Sequence, residues 1–195
     1  MTLAIWSEGT EKVLIRVLQP EKEKGTATLK VGSDIWNYLP KIDRTIRIPT
    51  SMMMASWMGS HFTNDDLVKE SSISRDYEAK ITGKQALPDG QCYVLDLIPR
   101  PEAAVVWGKI TAYVRMSDHI PLKYEFFDEK GKLIRYQDLS VIKKMGGRTI
   151  PTVMTMIPVT KKGKKTVLVI DKINFNVPIS DDVFSLSKLK GGTTR

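Results

Sequence analysis

The sequence is poor in cysteine. Cys92 is the only cysteine among 195 residues, which excludes a disulfide within the chain. It lies in the apolar stretch GQCYVLDLIP, where a cysteine is typically a small buried side chain rather than a reactive one. The lack of disulfides leaves the compartment open, because many exported proteins also have none.

The chain also lacks long apolar runs. Its longest ones fall far short of the roughly 20 residues that a membrane-spanning helix needs. The first residues, MTLAIWSEG, show no basic n-region, no extended apolar run and no small-residue cleavage site. We therefore expect either a cytosolic protein or a mature fragment from which a leader has been removed.

Residues suited to catalysis are scarce. His61 and His119 lie far apart and show no metal-ligand spacing, so both are expected at the surface or in turns. The pairs Asp65–Asp66 and Asp181–Asp182 fall where a helix cap or turn is expected, and capping is the more common role there. Phosphate-loop and GxSxG motifs are missing. The sequence thus predicts a non-catalytic protein without metal or cofactor.

The net charge of +8 and a pI near 9.5 indicate anionic partners. Arginine–glycine repeats and an RNP-like pattern are absent, so nucleic acid ranks low as a partner. The one dense basic cluster is KKGKK, with Lys161, Lys162, Lys164 and Lys165 at a predicted hairpin tip. Two interpretations stay open: a tip that faces an anionic membrane, or a solvated turn that protects a strand edge.

Alternating strand patterns dominate the sequence. With 42% hydrophobic and 27% charged residues, the composition is typical of one globular domain, here spanning 1–195. Short runs rich in β-branched and aromatic residues, bounded by Gly, Pro or Asp, predict ten or eleven mostly antiparallel strands. The runs are 12–18, 26–31, 33–40, 41–49, 77–84, 91–99, 108–116, 120–128, 132–145, 148–159 and 165–177.

Residues 50–69 interrupt this alternation. Thr50 or Ser51 can cap a short helix that runs through Met58 and ends at Gly59. Thr63 or Asn64 can cap a second short helix. A long twisted antiparallel sheet must curl, and this segment is a natural element for it to wrap around. Its apolar residues either plug a dry core or form an adaptable wall for an apolar ligand.

Three stretches carry a family resemblance. WNYLP (36–40), SWMGS (56–60) and FTNDDL (62–67) resemble the outer-membrane lipoprotein-sorting (LolA-like) proteins. The similarity is greatest to the branch often encoded beside resistance-nodulation-division exporters, and it includes the closing ISDDVFSLSKL (179–189). The resemblance implies a strongly curved antiparallel sheet, a half-open barrel, with helices covering its concave face. The helix that precedes the first strands in that family has no counterpart here, and we expect a trimmed fragment.

The resemblance also implies a function. We expect a periplasmic, non-catalytic carrier that holds the acyl chains of a lipid or lipoprotein in an apolar cavity. The alternative is an adaptor that docks on a membrane exporter without a lipid, and an enzyme acting on lipid has the least support. The residues expected to line the cavity are Trp36, Tyr38, Met52, Met53, Met54, Trp57, Met58 and Phe62.

Overall fold

The structure, a computed structural model, describes residues 1–69, 73–103 and 105–191. β structure accounts for 52% of the residues. The α-helices of the described part are short: α1 spans Asn64–Lys69, α2 spans Ile73–Asp76 and α3 spans Leu186–Leu189. The predicted mostly-β class with antiparallel sheets and a few short helices is confirmed.

Five strands form the first sheet, in chain order and antiparallel throughout. Tight connections, including the 3₁₀ turns at Glu21–Glu23 and Pro40–Ile42, keep neighbours in sequence adjacent in the sheet. The strands are β1 Thr2–Glu8, β2 Lys12–Gln19, β3 Ala27–Val31, β4 Asp34–Leu39 and β5 Arg44–Arg47.

Seven strands form the second sheet, again as a simple antiparallel meander with β6 and β12 at its edges. Long strands with hairpin-sized connections give this order directly. The strands are β6 Tyr77–Leu87, β7 Gly90–Pro99, β8 Lys109–Arg115, β9 Pro121–Phe127, β10 Leu133–Met145, β11 Arg148–Pro158 and β12 Thr166–Val169.

The chain divides into two compact units. The first comprises Met1–Ala55, Thr63–Ser72 and Val177–Arg195, and therefore contains the first sheet. The second comprises Ser56–Phe62 and Ile73–Asn176, and contains the second sheet. One domain over 1–195 stays a prediction.

Both faces of the first sheet bury side chains. Cross-strand pairing places Trp6, Leu14, Leu29 and Trp36 in one row on one face. This face packs against the C-terminal segment, residues 179–189, whose buried members are Val183, Phe184 and Leu189. The opposite face buries Ile15, Val17 and Ile35.

The second unit has two apolar clusters. The larger contains Tyr77, Leu97, Trp107, Ile110, Ala112, Phe126 and Met156, with Phe62 packed against it. The smaller contains Cys92, Tyr113, Ile120 and Leu122. Cys92 is fully buried, as predicted, and burial raises the pKa of its thiol. His119 lies exposed just after the turn that follows β8, which also agrees with the prediction.

The largest differences from the predicted strands are at β1 and β12. β1 was not predicted, because apolar residues on both of its faces leave no apolar–polar alternation to detect. β12 ends at Val169 rather than at residue 177. Beyond it the chain packs over the β10–β11 turn, where Arg148 stacks on the Phe175 ring at 4.4 Å.

The helix predicted from Thr50 or Ser51 through Met58 is wrong. The segment holds two separate 3₁₀ turns instead, Thr50–Met52 and Trp57–Gly59. Met58 has a φ of +50°, in the left-handed region, which a continuous right-handed helix cannot accommodate.

Candidate ligand-binding site

Buried polar groups hold the methionine segment, residues 50–55, through its backbone. The Asn64 side-chain amide donates to the carbonyl oxygen of Met52 at 3.0 Å. The N–H of Asn64 donates to the carbonyl of Ala55 at 3.1 Å, and the N–H of Asp65 donates to that of Met53 at 2.9 Å. Since Asn64 and Asp65 are both buried, these bonds are shielded from water and fix the path of the segment.

The helix that supplies these donors begins with a reciprocal cap. The Asp66 carboxylate accepts from the N–H of Thr63 at 2.7 Å, and the Thr63 hydroxyl accepts from the N–H of Asp66 at 3.3 Å. This is a capping box with aspartate in place of the usual Glu or Gln. The prediction that Asp65–Asp66 serves a helix start is confirmed, with Thr63 as the capping residue.

The methionine side chains point outward to different degrees. Met52 exposes 48% and Met54 45% of its surface, while Met53 is half-buried. A segment that plugged a dry core would bury these side chains. Instead, its backbone is fixed and two flexible apolar side chains remain accessible, an arrangement typical of an adaptable apolar surface.

Trp36 and Tyr38 lie in the packed core of the first unit. Both contact the cluster that the C-terminal segment completes. The Tyr38 hydroxyl donates to the Asp43 carboxylate at 3.1 Å, and desolvation, with this bond adding to it, raises the pKa of Tyr38. Their surroundings favour a structural role, and their part in ligand binding stays a prediction.

The other face of the first sheet offers apolar surface that sequence reasoning missed. Register places Ile5, Ile15, Thr28, Asn37 and Ile46 in one row across the five strands. Ile5 and Ile46, on the two edge strands, are 53% and 42% exposed. Alternation in β4 and β5 places Ile35 and Ile46 on the face opposite Trp36 and Tyr38, and this was the signal that could have found them.

In the second unit, residues 56–62 form a compact turn. Trp57 is buried, and its backbone N–H donates to the backbone carbonyl of Phe62 at 2.8 Å. Met58 is half-buried, and Phe62 packs against the larger apolar cluster. Of the predicted cavity residues, Trp57, Met58 and Phe62 therefore belong to the second unit, whereas the other five belong to the first.

The turn is tied to the edge of the second sheet. The N–H of His61 donates to the Thr166 hydroxyl at 3.0 Å, and His61 Nδ1 lies 2.9 Å from the same oxygen. Arg135 donates from Nη1 to the His61 carbonyl at 3.3 Å. His61, expected at the surface or in a turn, thus lies half-buried in this turn and fixes it to β12.

Arg135 is the most unusual polar residue of this unit, because it is only 4% exposed within an apolar cluster. Its guanidinium lies 4.6 Å from the Trp107 ring centroid and 4.7 Å from that of Phe126. Stacking on two aromatic faces offsets part of the cost of burying the charge. Sequence alone gave no signal for it, since a single arginine in an alternating strand is usually exposed.

The second sheet also carries a partly buried charged cluster. Glu125 accepts from Lys123 Nζ at 2.6 Å and from the Tyr113 hydroxyl at 3.1 Å. Burial, together with the Glu125 charge, raises the pKa of Tyr113 to about 12. At neutral pH Tyr113 is therefore a protonated phenol that donates a hydrogen bond, and it is poorly suited to exchange protons.

The four tip lysines lie where the sequence predicted. Residues 159–165 connect β11 to β12, and Lys161, Lys162, Lys164 and Lys165 are all exposed. The N–H of Lys164 donates to the carbonyl of Lys161 at 3.0 Å, which closes the turn. The hairpin tip is confirmed as geometry, and its role at a membrane stays a prediction.

Among the described residues, no group of three or more His, Cys, Asp or Glu side chains could hold a metal ion. Within the same part of the chain, none of the helices has the combined length and apolar character that crossing a membrane requires.

Comparison with solved structures gives strong matches over almost the whole chain. A putative outer membrane lipoprotein-sorting protein domain from Vibrio parahaemolyticus is 25% identical, with a TM-score of 0.83 over 96% of this chain and 82% of that chain. A DUF1329 family protein from Desulfovibrio piger is 23% identical, with a TM-score of 0.84 over 96% and 81%. A LolA superfamily protein from Nitrosomonas europaea is 24% identical, with a TM-score of 0.76 over 95% and 81%.

A family model described as "Uncharacterized protein" matches residues 9–191. No curated protein matches the sequence. The model match and the structural neighbours confirm the LolA-like resemblance seen in the sequence. The chain therefore belongs to the family that this model describes, and its fold is LolA-like.

Proposed function

We propose that the protein is a non-catalytic periplasmic carrier that holds acyl chains of a lipid or lipoprotein. The observation that carries this proposal is the methionine segment: its backbone is fixed by buried hydrogen bonds, while Met52 and Met54 stay about half exposed. The name of the Vibrio parahaemolyticus neighbour, a putative lipoprotein-sorting domain, supports it.

An acyl chain makes no directional bonds, so its site needs apolar area and an adaptable shape. Burying one methylene group is worth about 0.8 kcal/mol. A sixteen-carbon chain would gain on the order of 10 kcal/mol before the costs of ordering it. A site of this kind needs no catalytic group.

Methionine suits such a site because its unbranched thioether side chain repacks at little cost. The backbone of the methionine segment, in contrast to its side chains, is rigid. Since Asn64 and Asp65 hold the segment before any ligand arrives, binding does not have to order the main chain. Ile5 and Ile46, exposed on the edge strands of the same unit, are further candidates to contact an acyl chain.

Retention of lipid tests the proposal. Mass spectrometry of organic extracts from the purified protein should find a lipid or acylated peptide in near-stoichiometric amount. An adaptor that only docks on an exporter would yield none. Absence of lipid, together with failure to bind a fluorescent fatty acid, would contradict the carrier function.

A matched pair of variants locates the site. Met52→Gln should lower fatty-acid affinity, because a polar amide replaces an apolar contact. Ile98→Gln is the control, since Ile98 is also 48% exposed but lies on β7 of the second unit. Equal losses in both variants would show that the methionine segment is not the site.

A further inference from the structure

The excess positive charge of this protein is confined to one part of the chain. Between Asp138 and Asp171 there is no acidic residue, whereas seven basic residues occur there: Lys143, Lys144, Arg148, Lys161, Lys162, Lys164 and Lys165. The remaining chain holds 23 of the 30 basic residues against all 22 acidic ones, a net charge of only +1. Residues 139–170 therefore account for +7 of the +8.

Residues 139–170 include the end of β10 and all of β11 and β12. β12 is the edge strand on this side of the second sheet. The seven basic residues lie at the two opposite ends of these strands. Lys143, Lys144 and Arg148 flank the β10–β11 turn, and four lysines occupy the β11–β12 tip, residues 159–165.

The β11–β12 tip has the higher charge density. Its four lysines lie within five consecutive positions, are all exposed, and form no ion pair within the described residues. Gly163, with a φ of +73°, provides the left-handed conformation that lets the turn close. The β9–β10 loop at the same end of the sheet has two acids and two lysines between Asp128 and Lys132, so it adds no net charge.

The tip also presents an apolar residue. Val159 lies two positions before Lys161, with Thr160 between them, and is 41% exposed. Its N–H donates to the carbonyl of Ile134 at 3.0 Å, which fixes the base of the tip to β10. A cationic turn with an exposed apolar side chain at its base matches the interface of an anionic bilayer, where charge attracts and the apolar group enters the headgroup region.

We propose that the β11–β12 tip docks on the surface of a bilayer that contains anionic phospholipid. A nucleic acid is a poorer match, because the tip lacks the aromatic and arginine side chains that stack on bases or fork onto phosphates. The tip leads directly into Thr166, which holds His61 and the 56–62 turn. Docking thus brings the 56–62 turn, which contains the SWMGS stretch of the family resemblance, close to the membrane. The docking does not require that the protein carries cargo.

Vesicle co-sedimentation tests the docking without any cargo. The vesicles contain phosphatidylcholine with or without phosphatidylglycerol, at about 0.1 M salt, where the Debye length is about 10 Å. Each lysine near such a surface is worth about 1 kcal/mol, a factor of about five in partitioning. Lys161→Ser combined with Lys162→Ser should therefore lower binding about 25-fold.

The chain offers a matched control at the far end of the same strands. Lys143→Ser combined with Lys144→Ser removes the same charge from exposed positions on β10 and should lower binding only a few-fold. Equal losses in the two double variants would mean that net charge alone attracts the protein, and the docking proposal would be wrong.

Three further outcomes bear on the proposal. Binding that does not depend on phosphatidylglycerol would overturn it, as would tighter binding to duplex DNA or to a soluble acidic protein than to vesicles. Val159→Ser should weaken the binding that survives at high salt, because that remainder depends on the apolar contact. Thermal melts of all variants should coincide with wild type, since every substituted side chain is exposed.

Discussion

Two short apolar segments of the first unit differ in how far their apolar side chains are exposed. The C-terminal segment buries Val183, Phe184 and Leu189, with Leu189 fully enclosed and Phe184 only 6% exposed, and leaves Leu186 at its surface. The methionine segment leaves Met52 and Met54 about half exposed. Both are rich in apolar residues and both contain a 3₁₀ turn. Apolar composition therefore does not decide whether such a segment belongs to a core.

The difference lies in what anchors each segment. The C-terminal segment is held mainly by its side chains: Phe184 and Leu189 pack in the core, and Asp181 pairs with Lys12 at 2.7 Å. One bond to its backbone, from Arg16 to the Lys188 carbonyl, adds to these contacts. The methionine segment is held by its backbone, through Asn64 and Asp65. A segment anchored by its backbone can present its side chains to something else, which is the requirement of a binding surface.

The largest expected effect is in the C-terminal segment. Phe184→Ala should lower the free energy of unfolding by about 3–5 kcal/mol, because it leaves a cavity in a packed cluster. Urea denaturation measures the change. Leu186→Ala in the same segment is the control, since Leu186 is 47% exposed and its loss should cost within about 0.5 kcal/mol.

Asn64→Ala should have an intermediate effect on stability and a clear effect on binding. It removes the donor to the Met52 carbonyl and should cost about 1–3 kcal/mol of unfolding free energy. Fatty-acid affinity should fall as well, because the methionine segment loses its fixed path. A loss of stability with unchanged affinity would show that this bond supports the fold alone.

Replacing both exposed methionines should separate binding from stability. Met52→Gln combined with Met54→Gln should change the free energy of unfolding by no more than about 0.5 kcal/mol, because both side chains are half exposed. Lipid retention should fall sharply. If the double variant unfolds like a core mutant, the segment is a plug and the contrast with the C-terminal segment disappears.

The smallest expected effect is a pH dependence of the C-terminal segment. The hydrogen bond from Lys12 holds the pKa of Asp181 below its ordinary value. This contribution is present above the unfolded-state pKa of about 3.9 and is lost as pH falls through the lower folded-state value. Wild type should therefore lose slightly more stability below about pH 4 than Asp181→Asn does, and identical acid-denaturation curves would contradict this.

Much of the fold could be predicted because alternation is a local signal. The strands from β2 to β11 follow short runs in which polar and apolar residues largely alternate and which are rich in β-branched and aromatic residues. β1 escaped because Leu3, Ala4, Ile5 and Trp6 put apolar residues on both faces. The broken helix at residues 50–58 was missed for another reason: the carbonyls of Met53 and Ala55 accept from the backbone N–H groups of Asp65 and Asn64 rather than from a helical turn.

The candidate site was only partly predictable. Local sequence patterns do not show which face of a sheet a distant segment covers, or which distant residues form hydrogen bonds with a segment. Alternation in β4 separated Trp36 and Tyr38 from Ile35, but both faces of the sheet bury side chains, so the pattern could not say which one meets the C-terminal segment. The methionines stood out by composition. The donors that hold them, and Arg135 between two aromatic rings, became visible only with the structure.

The buried amide of Asn64 has a consequence for how this protein can change over generations. Because it grips a carbonyl rather than a side chain, it places no demand on which side chain stands at position 52. Substitutions among residues of similar size at position 52 should alter which ligands the surface binds without disturbing the backbone that Asn64 holds. For a protein with the proposed carrier function, the preference for one cargo over another could therefore change, or be redesigned in the laboratory, separately from foldability.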